Sequence, residues 1–303
     1  RALSCVTDLL ESEPADMRYL AYREQIMTAL SAGDAADADP VHPGVEAHYF
    51  THRGGVRAKN EDSLLIGASV VTGRSMERPE TARMDIPGTI LCVADGIGGQ
   101  AKGEEAGMMV LTGIRDRKDR ITDEKSLALA LFQVRSELDE YVEKNPDASH
   151  LGCTLAGLCL RDDGLIAFNL GDCRVYRIRN GRVERITRDH SLVQALFEAG
   201  VIGEEEMQHH PRRNIVTSSV SGDGSPDSMQ VFSTPVTLED DEQFFICSDG
   251  VWECFSHDEL ELIYRKFKGR PYCERMLTAA LARQASDNIS AILVHINAHG
   301  RAA

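Results

Sequence analysis

A short segment in the first third of the chain combines a carboxylate with glycine-rich backbone. Residues 90–102 read ILCVADGIGGQAK. The apolar run at 90–93 predicts a buried strand that brings Asp95 to its end, and the glycines after it permit a tight turn. A hard cation in phosphate chemistry uses oxygen ligands of this kind. Because an Asp-Gly pair alone is typical of an ordinary turn, the prediction depends on further carboxylates.

Two more aspartates stand at the ends of apolar strands elsewhere in the chain. Asp249 follows the run at 244–248, and Asp287 precedes the run at 289–296. If these strands end together, their carboxylates meet in one cleft, where they repel one another unless cations neutralise them. No His or Cys accompanies them, which favours Mg²⁺ or Mn²⁺ over zinc. Two such ions can share a carboxylate and activate a water molecule between them.

A cationic residue and two acids precede the first of these strands. The sequence from Arg57 reads RAKNED, so that Glu61 and Asp62 follow it closely. A guanidinium group matches the oxygens of a phosphate with two parallel hydrogen bonds. Taken singly, Arg57 is typical of a solvated surface residue, and each aspartate is typical of a turn. Taken together, they favour phosphate chemistry at a metal centre.

Composition restricts the class of protein. The 303 residues are 42% hydrophobic and 27% charged, as in a soluble globular protein, and the net charge of −15 argues against binding to nucleic acid or anionic lipid. The eight cysteines form no Cys-x-x-Cys pair, so we expect buried thiols in a reducing compartment, the cytoplasm. No apolar run approaches the roughly 20 residues of a membrane span, and none is predicted.

Residue composition and hydrophobic spacing divide the chain into two parts. Residues 1–32 show helical spacing and residues 33–45 have a linker composition, so we predict an N-terminal helical appendage and linker over 1–45. A catalytic domain is predicted over 46–298. Its strand runs alternate with helix pairs, which favours antiparallel sheets covered by helices over βαβ units. Helices are predicted at 103–118, 123–144, 191–199, 256–267 and 272–284. Residues 68–88 show turn chemistry and no clear period.

Six motifs occur in a fixed order between about residues 48 and 296. They are RAKNED (57–62), VADGIGG (93–99), GCT (152–154), NLGDCR (169–174), SDGVW (248–252) and DN (287–288). In this order they resemble the metal-dependent Ser/Thr protein phosphatases of type 2C, and the Asp-Gly-x-Gly-Gly form resembles the bacterial branch. The resemblance implies an α+β fold, a four-layer αββα sandwich of two antiparallel sheets flanked by helix pairs. It also implies a flap over about residues 188–228 beside the site.

The resemblance further implies a role for each site residue. The implied direct ligands of two Mn²⁺ or Mg²⁺ ions are Asp95, which bridges them, the Gly96 carbonyl, Asp249 and Asp287. Asp172 matches the position that helps to hold a weaker third ion. Glu61 and Asp62 correspond to residues that hold metal-bound waters, and Arg57 to the residue that grips the substrate phosphate.

Three positions bear on how far the family pattern applies. Ile97 stands where animal members often carry a His, so the acid that protonates the leaving oxygen is either a metal-bound water or His190 in TRDH (187–190). We expect His190 to be a structural residue of the flap. Glu253 stands where some members have Asp, which would alter the third metal site.

The predicted function is hydrolysis of phosphoserine and phosphothreonine in proteins, by direct attack of a metal-bridged water or hydroxide. No cysteine lies in a phosphate-loop context, which disfavours a phosphocysteine route. The expected partners are phosphorylated Ser/Thr proteins, including a bacterial Ser/Thr kinase, and the chain is expected to be a monomer. One alternative is a catalytically silent, phospho-sensing module of the same fold. Another is a hydrolase dedicated to a single phospho-switch partner.

Overall fold

The structure is a computed structural model that describes residues 44–97, 102–149, 151–162, 164–222, 229–238 and 242–297. The appendage and linker predicted over 1–45 lie outside the described residues, apart from Gly44 and Val45, which begin the first strand. The end of the predicted flap, 223–228, also lies outside them. Within the described ranges, no helix has the length and apolar character needed to cross a membrane.

Thirteen short strands are described in chain order. They are β1 (Gly44–His52), β2 (Ser63–Ile66), β3 (Ser69–Val71), β4 (Glu80–Met84), β5 (Ile90–Ile97), β6 (Gly152–Arg161), β7 (Gly164–Leu170), β8 (Arg174–Arg179), β9 (Arg182–Arg185), β10 (Val220–Ser221), β11 (Phe232–Val236), β12 (Glu242–Cys247) and β13 (Ile289–Asn297). The described helices are α1 (Lys102–Asp116), α2 (Glu124–Lys144), α3 (Leu192–Glu198), α4 (Glu204–His209), α5 (Asp249–Trp252), α6 (His257–Lys266) and α7 (Arg270–Ala282).

The strands form two sheets in which every described pairing is antiparallel. One sheet has the order β4-β1-β13-β12-β8-β9, and the other has the order β11-β7-β6-β5-β2-β3, with β10 attached to β6. Residue Asp95 of β5 pairs with Thr154 of β6, while Cys247 of β12 pairs with Ala291 of β13. The strand ends that carry the predicted site residues therefore belong to both sheets.

Each sheet is covered by a helix pair on its outer face. Helices α1 and α2 pack on the seven-stranded sheet through residues such as Val110 and Leu131, together with Phe168 of β7. Helices α6 and α7 pack on the six-stranded sheet through residues such as Leu260 and Met276. A third apolar cluster lies between the sheets. The four layers follow the order helix pair, sheet, sheet, helix pair, as predicted.

The helix ends follow local sequence signals. Helix α2 begins after Asp123, whose side chain accepts a hydrogen bond from the Ser126 N–H at 2.7 Å and stabilises the first turn. Helix α6 begins in the same way after Ser256, with Glu259 completing the capping box. These caps explain why the predicted helices 123–144 and 256–267 agree closely with the observed ones.

Five short elements were missed in the sequence: β3, β4, β10, α4 and α5. Strand β4 lies within the 68–88 segment. Its side chains alternate between half-buried and exposed, so its sequence has none of the buried apolar positions that mark a strand. It pairs with β1 at the edge of the six-stranded sheet, so this segment covers a sheet edge. The short helix α4 falls in a region interpreted as irregular, because six residues rich in glutamate give little apolar periodicity.

Candidate active site

The candidate site is the polar end of the layer between the two sheets. Along β5, Leu91 and Val93 belong to the core between the sheets, and Asp95 lies one strand period further on. Asp62 lies immediately before β2, two residues ahead of the buried Leu64. Seven positions, each two residues beyond an apolar residue of this layer, are polar: Thr51, Asp62, Asp95, Thr154, Asn169, Ser248 and Ser290. Because strand side chains alternate, the apolar layer ends in a polar cluster.

A cleft of about 560 Å³ opens at this end of the sandwich. Every predicted site residue except Asp62 lines it: Arg57, Glu61, Asp95, Gly96, Asp172, Asp249 and Asp287. Flap residues 214, 216–219 and 221 also line it. The structure thus brings together residues that are separated by up to 230 positions in the sequence.

Asp62 lies behind the cleft and is completely buried. Its Oδ2 atom accepts a hydrogen bond from the Ser248 hydroxyl at 2.9 Å. The Ser248 Oγ atom in turn accepts from the Ser290 N–H at 3.1 Å. Ser248 was not singled out in the sequence, although it immediately precedes Asp249. Its position in the SDG motif was the available signal.

Arg57 is paired with one of the predicted ligands. Its Nη2 atom lies 2.6 Å from Asp287 Oδ2, while about half of the Arg57 side chain remains exposed. The preceding loop must approach Asp287 closely, since a Cβ on Gly54, which has a φ of +77°, would lie 2.0 Å from the Asp287 carbonyl oxygen. The guanidinium group is therefore held beside the carboxylates but open to solvent.

Asn288 holds the loop that carries Arg57 and Glu61. Its Oδ1 atom accepts from the Glu61 N–H at 2.8 Å, and its Nδ2 atom donates to the carbonyl oxygens of Arg53 and Lys59. Asn288 is 5% exposed, so these bonds are shielded from water. The residue appeared in the sequence only as part of the DN motif, and its role in fixing the loop was not predicted.

The carboxylates of the cleft strongly perturb one another. Burial raises the pKa of Asp62 to about 7 and that of Asp172 to about 6. Burial, followed by the charge of Asp249, raises the pKa of Asp95 well above its usual range. Burial and the charges of Asp172 and Asp287 do the same for Asp249. The cluster therefore carries more negative charge than this environment accommodates without a counter-ion.

The donor set matches a hard divalent cation. Asp62 Oδ1 and Asp249 Oδ1 are buried and have no hydrogen-bond donor among the described residues. Carboxylate and carbonyl oxygens are the ligands that Mg²⁺ and Mn²⁺ prefer. Within the same ranges, no three His, Cys, Asp or Glu side chains are arranged around a single point as a metal site requires. Asp287 accepts a hydrogen bond from Arg57. The residue types therefore fit metal ions, although one of the predicted ligands, Asp287, is paired with Arg57.

The two positions that depart from the family pattern, Ile97 and Glu253, and the candidate acid His190 lie in different places. Ile97 is 38% exposed and lines the cleft. The Glu253 Oε1 atom lies 4.0 Å from the Nε atom of Arg213, a flap residue. His190 lies outside the described wall of the cleft, and its Nδ1 atom accepts a hydrogen bond from the Gly171 N–H at 3.1 Å. Burial and the charge of Arg188 lower the pKa of His190, which favours the neutral ring that this bond requires.

Comparisons with known proteins agree with this fold. A family model for protein phosphatase 2C matches residues 82–294. The chain is 27% identical over 261 residues to the serine/threonine phosphatase stp of Listeria welshimeri, which covers 84% of this chain and 96% of that protein. The crystal structure of the Mycobacterium tuberculosis serine/threonine phosphatase PstP/Ppp has a TM-score of 0.70 and 25% identity, over 84% of this chain and 99% of that one.

A further solved structure, the catalytic domain of PstP in complex with two manganese ions, has a TM-score of 0.66 and 24% identity. It covers 84% of this chain and 99% of its own, and it shows the same fold. The site and the fold together define a metal-dependent protein phosphatase. The chain belongs to the protein phosphatase 2C family. The predicted family, the α+β sandwich and the phosphatase activity are confirmed.

Proposed function

We propose that this phosphatase removes phosphate from phosphoserine and phosphothreonine residues of proteins, with two Mn²⁺ or Mg²⁺ ions in the cleft. The observation that carries the proposal is the gathering of five aspartates, four in one cleft and one behind it, next to a solvent-accessible guanidinium group. The relatives named above are serine/threonine phosphatases, and one related structure is a complex with two manganese ions. A bacterial Ser/Thr kinase is the proposed opposing enzyme.

The proposed ligands are Asp95, Asp249, Asp287 and the Gly96 carbonyl, with Asp172 on the flap side as the ligand of a weaker third ion. When bound, such ions neutralise the carboxylates, polarise the phosphoryl oxygens and make a water molecule acidic enough to attack at neutral pH. Glu61 lines the cleft and Asp62 lies behind it. We propose that the carboxylate oxygens of Glu61 and Asp62 orient that water.

Arg57 is assigned to the substrate phosphate. Its exposed guanidinium group retains donors that do not face Asp287, and it offers them to the solvent side of the cleft. A bidentate contact would orient the phosphoryl group over the carboxylates and exclude water from one side of it. The flap residues 216–219 also line the cleft, so they help to confine the substrate side chain.

Replacing Asp249 tests the metal assignment. Asp249→Asn removes one negative charge and one anionic ligand while preserving the size of the side chain. We expect Mn²⁺-dependent hydrolysis of a phosphothreonine peptide to fall by at least about 10²-fold. Asp258→Asn, an exposed position on α6, is the matched control and should retain full activity. Wild-type turnover in Asp249→Asn would refute the assignment.

Replacing Arg57 separates substrate binding from metal binding. Arg57→Ala should raise KM for phosphothreonine peptides by about tenfold or more, because a charge-assisted contact to phosphate is lost. Mn²⁺ binding, measured by titration calorimetry, should not weaken, since Asp287 loses its competing partner. An unchanged KM would exclude Arg57 from phosphate binding.

A further inference from the structure

The base of the flap is bonded to the loop that carries Asp172. The backbone N–H of His190 donates to the Gly171 carbonyl at 2.8 Å, and the Gly171 N–H donates to His190 Nδ1 at 3.1 Å. Gly171 has a φ of +94°, and a Cβ there would lie 2.2 Å from the Thr154 side chain. His190 thus satisfies both backbone groups of a residue in a left-handed conformation, directly beside Asp172.

The same histidine extends this contact to the wall of the cleft. The Thr217 N–H donates to the His190 carbonyl at 2.8 Å, and the neighbouring Ser191 forms a β-bridge with Val216. Thr217 and Val216 line the cleft together with the carboxylates. His190 therefore joins the Asp172 loop to the flap segment that borders the substrate.

A second set of contacts holds Asp172 from the other side. The Trp252 Nε1–H donates to the Asp172 carbonyl at 2.9 Å. The Arg174 guanidinium lies 3.7 Å above the Trp252 ring and donates to both carboxylate oxygens of Asp189, the shorter bond being 2.6 Å. Asp189 is 5% exposed and immediately precedes His190. The backbone carbonyls of Gly171 and Asp172 thus accept hydrogen bonds from His190 and Trp252 respectively, and these two residues are linked through Asp189 and Arg174.

From these contacts we infer that His190 and Trp252 are positioning residues, which hold the Asp172 carboxylate against the metal cleft from two sides. In this role the His190 side chain acts as a hydrogen-bond acceptor at Nδ1 and transfers no proton to the leaving group. The inference rests on the proposed function, since it gives Asp172 a part in holding a metal ion. It extends that function by naming residues that support the ligand without lining the cleft.

Two variants of His190 distinguish a positioning residue from an acid. His190→Asn places an amide oxygen near the position of Nδ1, so the acceptor for Gly171 is kept while the titratable ring is lost. His190→Ala removes both. We expect His190→Asn to remain within about threefold of wild type in kcat/KM for a phosphothreonine peptide, and His190→Ala to lose about 10- to 100-fold. Circular dichroism of each variant checks the fold.

The leaving group supplies an independent criterion. A phosphothreonine ester needs a proton on its departing oxygen, whereas p-nitrophenolate leaves without one. If His190 positions Asp172, His190→Ala should impair both substrates to a similar extent. The inference is overturned if His190→Asn is as impaired as His190→Ala, or if the loss is confined to phosphothreonine.

Mn²⁺ binding without substrate provides a readout other than activity. Trp252→Phe keeps an aromatic ring beneath Arg174 and removes only the N–H that bonds the Asp172 carbonyl. In titrations with Mn²⁺ alone, Trp252→Phe and His190→Ala should weaken the weakest site by about tenfold and leave the tighter sites unchanged. If wild type binds Mn²⁺ and is active while both variants bind it equally well, this inference alone is wrong. If wild type neither binds Mn²⁺ nor hydrolyses phosphopeptides, the proposed function fails instead.

Discussion

The two ends of the paired strands β8 and β12 differ in whether every buried carboxylate has an arginine partner. At one end, Glu242 is 3% exposed and accepts two hydrogen bonds from Arg177, at 2.7 and 2.8 Å, with Arg179 also 3.7 Å away. At the other end, Asp172 and Asp249 face the cleft beside Asp95. Burial raises the pKa of each of them, followed by the charge of Asp189 at Asp172, of Asp172 at Asp249 and of Asp249 at Asp95. Both ends carry carboxylates, but among the described residues the arginines at the first end pair with Glu242 itself, whereas those at the second end pair with Asp189 and Asp287 and not with Asp172 or Asp249.

This difference separates a structural charge from a functional one. A buried ion that only closes the end of a sandwich is stabilised by a fixed counter-ion from the protein. Aspartates that repel one another reduce the stability of the fold on their own, and they become favourable when a cation binds. The contrast supports the proposed site at the Asp95 end on electrostatic grounds, independently of the family motifs.

The largest expected effect comes from neutralising the functional end. Asp95→Asn should lower phosphopeptide turnover with Mn²⁺ by at least about 10³-fold, or roughly 4 kcal/mol of transition-state stabilisation. In EDTA the same variant should be more stable than wild type by about 1 kcal/mol, because one of the repelling charges is gone. Thermal unfolding in EDTA and a peptide assay in Mn²⁺ measure the two effects. A variant that is less stable than wild type in EDTA would contradict the electrostatic argument.

The opposite outcome is expected at the structural end. Arg177→Met leaves Glu242 with only the more distant Arg179, and it should reduce the free energy of unfolding by about 3–5 kcal/mol. Activity per folded molecule should not change, since Arg177 lies away from the cleft. The double variant Arg177→Met and Glu242→Gln is the control and should recover much of the loss. Failure of the double variant to recover would mean that packing by Arg177, and not its charge, stabilises this end.

The fold was largely predictable because its strands are buried on both faces. Continuous apolar runs such as 90–93 and 289–296 marked the central strands, and caps such as Asp123 marked the helices. Edge elements gave weaker signals. Strand β4 alternates only between half-buried and exposed residues, so its pairing with β1 rather than its own sequence makes it a strand.

The site was predictable to the extent that it follows strand ends. Asp249 and Asp287 flank apolar runs, and their convergence with Asp95 followed from strands that end together. One detail was wrong: Asp95 lies within β5, paired with Thr154, and does not end it. Supporting contacts were not predictable, since Ser248 and Trp252 act on residues far away in the chain and neither type has a fixed partner at a fixed spacing.

The smallest effect expected is a pH dependence that Asp62 confers on the metal-free protein. Because the pKa of Asp62 is raised from 3.8 to about 7 by burial, the folded state binds more protons than the unfolded state between these values. Its contribution to the free energy of unfolding therefore declines as pH rises through this window, by roughly 2–3 kcal/mol between pH 5 and 7. Buried histidines such as His48, whose pKa is lowered by burial, act in the opposite direction and partly mask this trend.

Comparison with Asp62→Asn removes the histidine contribution, because both proteins share it. In EDTA, the stability of Asp62→Asn relative to wild type should increase from pH 5 to pH 7 and then level off, as measured by urea unfolding at each pH. With saturating Mn²⁺ the trend should disappear, since bound cations favour the ionised carboxylate in wild type. Parallel curves in EDTA would mean that Asp62 is ionised throughout, and that this end of the sandwich tolerates its charge as well as the arginine-paired end does.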